Sequence, residues 1–164
     1  GAEGLVAVIS ASEAHNLANV RRTITQSLAD TTGMAVPPRV EALVRGFVKR
    51  FPGLSFSLNL HNNRGLAMTN LYAGLMAGAD TFDTALGGIG GCPNVPQAAG
   101  NLHTEDVVYL LEELGCDTGL DLLKLIEAAR LLEIILGRVL PGQVMKSGPR
   151  NPGSAARSGG CTHV

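Results

Sequence analysis

Residues 54–93, LSFSLNLHNNRGLAMTNLYAGLMAGADTFDTALGGIGGCP, decide the fold. Residues 54–60 read as a strand, and residues 66–77 as a helix that stops at Gly78, where glycine takes a left-handed cap at little cost. Residues 80–86 read as a second strand, followed by the glycine-rich loop 87–93. Strand, helix and strand in that order are the repeating unit of a parallel α/β sheet. Working upstream, residues 36–51 predict a helix: Val40, Leu43, Val44, Phe47, Val48 and Phe51 recur at helical spacing, and Pro37 and Pro38 suit a first turn. Residues 16–28 read as another helix with Asn16 at its start, and the apolar, β-branched run LVAVIS at 5–10 as a strand buried on both faces. Downstream, Thr104 caps a helix ending near Gly115, with Glu105 and Asp106 placed well for its dipole. Residues 121–140 form the longest predicted helix. One junction is irregular. Asp30-Thr31-Thr32-Gly33 has the character of a strand-to-helix loop, yet the residues before it read as helix, so a strand is missing there.

Composition narrows the classes. A chain of 164 residues, 45% hydrophobic, supports one domain with a sizeable core, expected over residues 1–140. From Pro141 onward Gly, Ser, Pro and Arg dominate, which predicts a flexible tail over 141–164. A formal net charge of -1 gives no footprint for nucleic acid. No apolar run approaches the ~20 residues that cross a bilayer, so no membrane partner is expected. The first residues lack the basic start and apolar stretch of a secretory signal, and without Met the start reads as internal. Cys92, Cys116 and Cys161, an odd number without a close pair, argue against a disulfide framework and for a reducing, cytoplasmic compartment.

Three segments carry polar residues where a parallel α/β fold builds its site, in loops leading from strand into helix. In the first, Asn59 and His61 lie two apart at a strand end and point to the same side, a plausible metal edge amid Asn62 and Arg64. A histidine that merely caps the strand is the competing reading. In the second, Gly87, Gly88, Gly90 and Gly91 surround Cys92 and let the backbone approach a ligand closely. A cysteine there is accessible rather than packed as a small hydrophobe. Asn101 precedes a helix, where it faces a ligand or caps, and Glu105 follows in the first turn. The third is Asp30-Thr31-Thr32-Gly33, by itself only a turn with a polar rim. Cys116 reads as a core thiol, Cys161 as an exposed one, and His15 and His103 as surface residues.

Together these segments resemble one family. The run GGIGGCP at 87–93, with Gly100-Asn101-Leu102 and Thr104-Glu105-Asp106 behind it, is similar to the cysteine signature of 3-hydroxy-3-methylglutaryl-CoA lyases. Ser10-Ala11-Ser12-Glu13 resembles the end of the family's fourth barrel strand, Asp30 to Gly33 the loop after its sixth, and Asn59 to Gly65 the loop after its seventh. The similarity covers roughly residues 6–149; its cysteine loop is specific, whereas the other pieces are shared among related metal-dependent aldolase-type barrels. The resemblance implies an α/β fold, a partial (βα)8 barrel equivalent to strand 4 and strands 7–8 with their helices, plus C-terminal helices. Such barrels take ~250 residues, roughly 90 more than are present. The first strand with its Arg-Asp-Gly motif, the second and third strands, and the fifth with the start of the sixth have no counterpart in this reading. Missing strands leave apolar faces and sheet edges uncovered, which predicts marginal stability or self-association.

The resemblance also implies chemistry. It is that of retro-Claisen cleavage of 3-hydroxy-3-methylglutaryl-CoA to acetoacetate and acetyl-CoA, with Cys92 and His61 as catalytic residues. His61, Asn101 and Asn59 would hold Mg²⁺ or Mn²⁺, Asn59 standing where the family has histidine. Asp30, Glu105, Gly90 and Gly91 would face the substrate. The implied partners are an acyl-CoA substrate and further copies of the chain, in the cytoplasm or, in a eukaryote, the mitochondrial matrix. Two other classes stay open: a non-catalytic remnant of such a lyase, and a related lyase for a longer 3-hydroxy-3-acyl-CoA.

Overall fold

The computed structural model describes residues 7–8, 27–30, 32–54, 56–91 and 98–150. Within them the chain forms two compact units, Gly1–Asp83 with Gly91–Asn101, and Thr84–Gly90 with Leu102–Val164.

The first unit is a parallel sheet backed by two helices. Its strands, β1 (Ala7–Val8), β2 (Ser27–Asp30), β3 (Ser57–Leu60) and β4 (Phe82–Asp83), lie side by side in chain order. Leu28 pairs with Leu58, and Leu58 with Phe82. Helix α1 (Pro37–Arg50) starts on its prolines and buries Val40, Val44 and Phe47, the stripe expected from its spacing. Phe47 meets Phe51 and Phe56 in tilted ring pairs with centroids 5.1 and 4.8 Å apart. Helix α2 (Ala67–Met76) follows β3 and comes close to it at Gly74, where an added Cβ would strike Leu58 Cδ1. A mid-helix glycine costs about 0.5–1 kcal/mol relative to alanine. Fully burying a leucine stabilises by about 1.5–3 kcal/mol, so the close approach wins. Leu28, Leu58 and Leu60 are buried, while Ser57 and Asn59, of opposite parity on β3, take the other face.

The second unit is helical. A 3-10 turn at Leu86–Gly88 precedes α3 (Thr104–Glu113), α4 (Leu122–Leu136) and the short α5 (Val144–Ser147). Val108, Leu122, Ile126, Ala129, Leu140, Val144 and Met145 form its core. Asp121 caps α4 by accepting from Lys124 N at 3.2 Å, and Gly137 ends it in the left-handed conformation at φ 61°.

Four expectations need correction. The strand that seemed lacking before Asp30 is present: Ser27–Asp30 is β2, where the helix read over 16–28 was expected to end. Its backbone pairs with β1 on one side and β3 on the other, and that tertiary pairing overrides a local helical pattern. The sheet therefore has four strands among the described residues, not three. The strands expected over 54–60 and 80–86 are shorter, Ser57–Leu60 and Phe82–Asp83, because the chain turns at Gly53 and again into the 3-10 turn. Thr104 is not the cap of α3; His103 holds that position, and Thr104 Oγ1 instead meets Thr84 Oγ1 at 2.9 Å. Finally, the tail expected from 141 is packed over its first part, since the buried Val144 and Met145 belong to the core and make α5. Residues 151–164 lie outside the described residues.

Candidate functional site

The site is built on the segment that follows β3. His61 is 8% exposed and forms an isolated antiparallel bridge with Asn101. Asn62 N donates to Gly100 O at 3.0 Å, and Asn62 Oδ1 accepts from Ala67 N at 3.3 Å, satisfying an orphan amide at the start of α2. Arg64 Nη1 donates to Thr32 O at 2.8 Å and so ties the loop after β2 to the loop after β3. That loop passes so closely that a Cβ at Gly33, whose φ is 63°, would lie 2.9 Å from His61 O. Only glycine satisfies both conditions.

Asp30, at the end of β2, is buried and its carboxylate organises the same loop. Oδ1 accepts from Met34 N at 3.1 Å and from Thr32 Oγ1 at 3.4 Å, and Oδ2 accepts from Ala35 N at 2.8 Å. Burial pushes the His61 pKa down; the Asp30 charge and the nearby Asp30 backbone oppose this without reversing it. The imidazole is therefore neutral near pH 7, the form that binds metals. Its Nδ1 is buried with no hydrogen-bond partner. A buried orphan nitrogen at a strand end, beside Asn101 and two residues from Asn59, is suited to a ligand.

The two amide oxygens suit a hard divalent cation, the imidazole nitrogen is a borderline donor, and the set brings no negative charge. Among the described residues no group of three or more His, Cys, Asp or Glu is placed to hold a metal ion. The residues that could hold such an ion are His61, Asn101 and Asn59, with no carboxylate among them.

In the second unit, the first turn of α3 carries a separate polar cluster. Glu105 is fully buried, and Oε2 accepts from Gly87 N at 3.0 Å, which fixes the base of the glycine-rich loop. Asp106 accepts from His103 Nδ1 at 2.7 Å, from Gln143 N at 3.0 Å and from Val144 N at 2.7 Å. Burial alone would raise the Asp106 pKa, but the His103 and backbone hydrogen bonds outweigh it and hold the carboxyl below its ordinary value. His103, read from sequence as a surface residue, is 4% exposed and belongs to this pair. Its three-residue spacing to Asp106 on one helical face was the available signal. Gly90 and Gly91 are exposed, with φ of 91° and 154°. Cys92 lies outside the described residues, as do Cys161 and His15. Cys116, expected as a core thiol in a chain without disulfides, is instead half-buried just beyond α3 and disulfide-bonded, which corrects that expectation.

The structure thus brings Asp30, His61 and Asn101 together, with Asn59 one alternation back along β3, and places Glu105 and Gly90 in the other unit. A family model, HMGL-like, matches residues 3–132. The chain belongs to the HMGL-like family. This HMGL-like chain is 50% identical over 125 residues to the (R)-citramalyl-CoA lyase of Chloroflexus aurantiacus, covering 76% of the chain and 39% of that protein. It is 42% identical over 124 residues to the hydroxymethylglutaryl-CoA lyase YngG of Bacillus subtilis, covering 74% of the chain and 42% of the relative. Among solved structures, the HMG-CoA lyase of Acinetobacter baumannii in complex with coenzyme A and 3-methylmalate superposes with a TM-score of 0.74 at 44% identity. That match covers 77% of this chain and 42% of the other. The chain spans about two fifths of the length of the relatives it matches. The HMGL-like sheet is accordingly a part of a (βα)8 barrel.

Proposed function

We propose that this chain supplies the metal-edge and cysteine-loop part of an acyl-CoA lyase that cleaves 3-hydroxy-3-methylglutaryl-CoA by a retro-Claisen step. The observation that carries the reading is the buried, unpartnered Nδ1 of His61 at the end of β3, beside residue 101. In the reaction a general base takes the proton of the tertiary 3-hydroxyl as the C2–C3 bond breaks; the electron pair passes to the thioester enolate, and the enolate carbon takes a proton from a general acid. A divalent cation on His61, Asn101 and Asn59 would act as a Lewis acid toward the hydroxyl and carbonyl oxygens. Asp30 holds the loop behind His61. Cys92 is assigned the proton donated to the departing carbon, a general-acid role. Gly90 and Gly91 give the loop its close approach to the thioester, while Glu105 keeps the loop's base in place through Gly87 N rather than touching substrate.

The 50% identity to a protein named (R)-citramalyl-CoA lyase favours a second substrate of the same chemistry. Citramalyl-CoA also carries a tertiary 3-hydroxyl, with one methylene fewer before its carboxylate. The discriminating experiment joins this chain to the complementary barrel strands of a relative and assays both thioesters with Mg²⁺ and Mn²⁺. Cleavage of at least one is expected. Cys92→Ser should lower kcat by roughly 10²–10⁴ with little change in KM, the signature of a group used only in the transition state. Full activity in that variant would remove Cys92 from the mechanism, and no cleavage of either thioester would favour a non-catalytic remnant.

A further inference from the structure

Residues 61–63 and 99–101 lie against each other in opposite directions, joined at three successive points. His61 bridges Asn101, Asn62 N donates to Gly100 O at 3.0 Å, and Asn63 Oδ1 accepts from Ala99 N at 2.8 Å. Only the last of these is made by a side chain. The first two are backbone contacts that any sequence could form, and further along the same segment Ala85 N donates to Leu102 O at 2.9 Å and Thr104 N to Ala85 O at 3.1 Å; at residue 99 it is the Asn63 side chain that holds the register. Gly100 at φ 92° supplies the bend that lets it turn back. The neighbouring asparagine is committed elsewhere, Asn62 Oδ1 to Ala67 N. Asn63 uses its amide through the oxygen alone, since its Nδ2 has no hydrogen-bond partner among the described residues.

We propose that Asn63 is a positioning residue whose amide oxygen locks Ala99–Asn101 onto the His61 segment and thereby sets residue 101 beside His61. Asn63 acts through the backbone of its neighbours and touches no substrate. The cation role rests on reading His61 and Asn101 as ligands; the register itself does not.

The test uses the full chain with Asn63→Ala, Asn63→Gln, Asn63→Asp and His61→Ala. Hydrogen exchange at the Ala99 amide should speed at least about tenfold in Asn63→Ala, with α1 amides such as Val44 unchanged. The Ala variant should also lose the nuclear Overhauser contact between residues 61 and 101. Asn63→Gln, which displaces the oxygen by one methylene, should behave like Ala; Asn63→Asp, which keeps the acceptor, should restore both signals. Mn²⁺ affinity should fall about 10–100-fold in the Ala and Gln variants and recover in Asp, and His61→Ala should abolish binding while Ala99 stays protected. Retention of the 61–101 contact and of slow Ala99 exchange in both Ala and Gln variants would overturn the proposal. So would a lost contact with unchanged Mn²⁺ affinity. If the unsubstituted chain binds no Mn²⁺, the ligand reading of His61 fails, and exchange with the 61–101 contact alone decides whether Asn63 sets the register.

Discussion

At the residue scale, buried carboxylates differ by what each one holds. Asp106 accepts hydrogen bonds from His103 and from two backbone amides near α5. Replacing it with asparagine leaves those donors poorly matched in the interior, a loss of about 1–3 kcal/mol measured by urea unfolding near neutral pH. The pH dependence follows from the direction of its shift. A carboxyl whose folded pKa lies below its ordinary value of 3.8 contributes stability that is complete above that value and is lost as pH falls through the lower folded value. The wild-type chain should therefore lose stability below about pH 4 more steeply than Asp106→Asn, and equal slopes would show that Asp106 is not what titrates. Glu105 makes a different expectation. Glu105→Gln keeps an oxygen for Gly87 N and should cost less than Glu105→Ala, which leaves that buried amide unsatisfied; paired denaturation curves separate the two.

At the scale of elements, the tightest constraint is the contact of α2 with β3. Gly74→Ala would gain up to about 1 kcal/mol of helix propensity. Against that, the new methyl enters the space of Leu58, which is 2% exposed, and overpacking costs about 1–3 kcal/mol. Net destabilisation is expected, relieved when Leu58→Val is added; a double-mutant cycle of thermal unfolding with no coupling would contradict it. The same elements show what the sequence made legible. Helix α1 announced itself through Val40, Val44 and Phe47 at helical spacing and two leading prolines, information carried inside the segment. Strand β2 did not, because four residues, Ser-Leu-Ala-Asp, have no period of their own and become a strand through partners on both sides. The packing of α5 was hidden for a related reason: glycine and proline around it suggest a tail, and only contact with Leu140 and Ile126 shows that Val144 and Met145 are core. In the candidate site, residue types marked Asn59 and His61, whereas the work of Asn63 depends on a chain segment 36 residues away.

At the scale of the molecule, the sheet ends in two strands that each pair on one side only among the described residues, β1 and β4. Unpaired edges of this kind recruit other chains. The second unit adds an apolar surface: Ile134, Ile135 and Val139 are 76%, 69% and 75% exposed at the end of α4. Self-association rising with concentration is expected in analytical ultracentrifugation, and Ile134→Glu with Ile135→Lys should reduce it without lowering the unfolding midpoint. Unchanged association would move the contact to the sheet edges. The partners of the α3 first turn lie far apart along the chain, Gly87 18 residues from Glu105, and Val144 38 residues from Asp106. During translation, at about 5–20 residues per second, Asp106 is joined to the chain seconds before its amide partners exist. The helical unit can close only after Gln143 and Val144 have been added. A chain cut short before Gln143 would carry α3 and α4 with a carboxylate bound for the interior and without the Gln143 and Val144 amides that meet it there, a polypeptide better suited to a protease than to a fold.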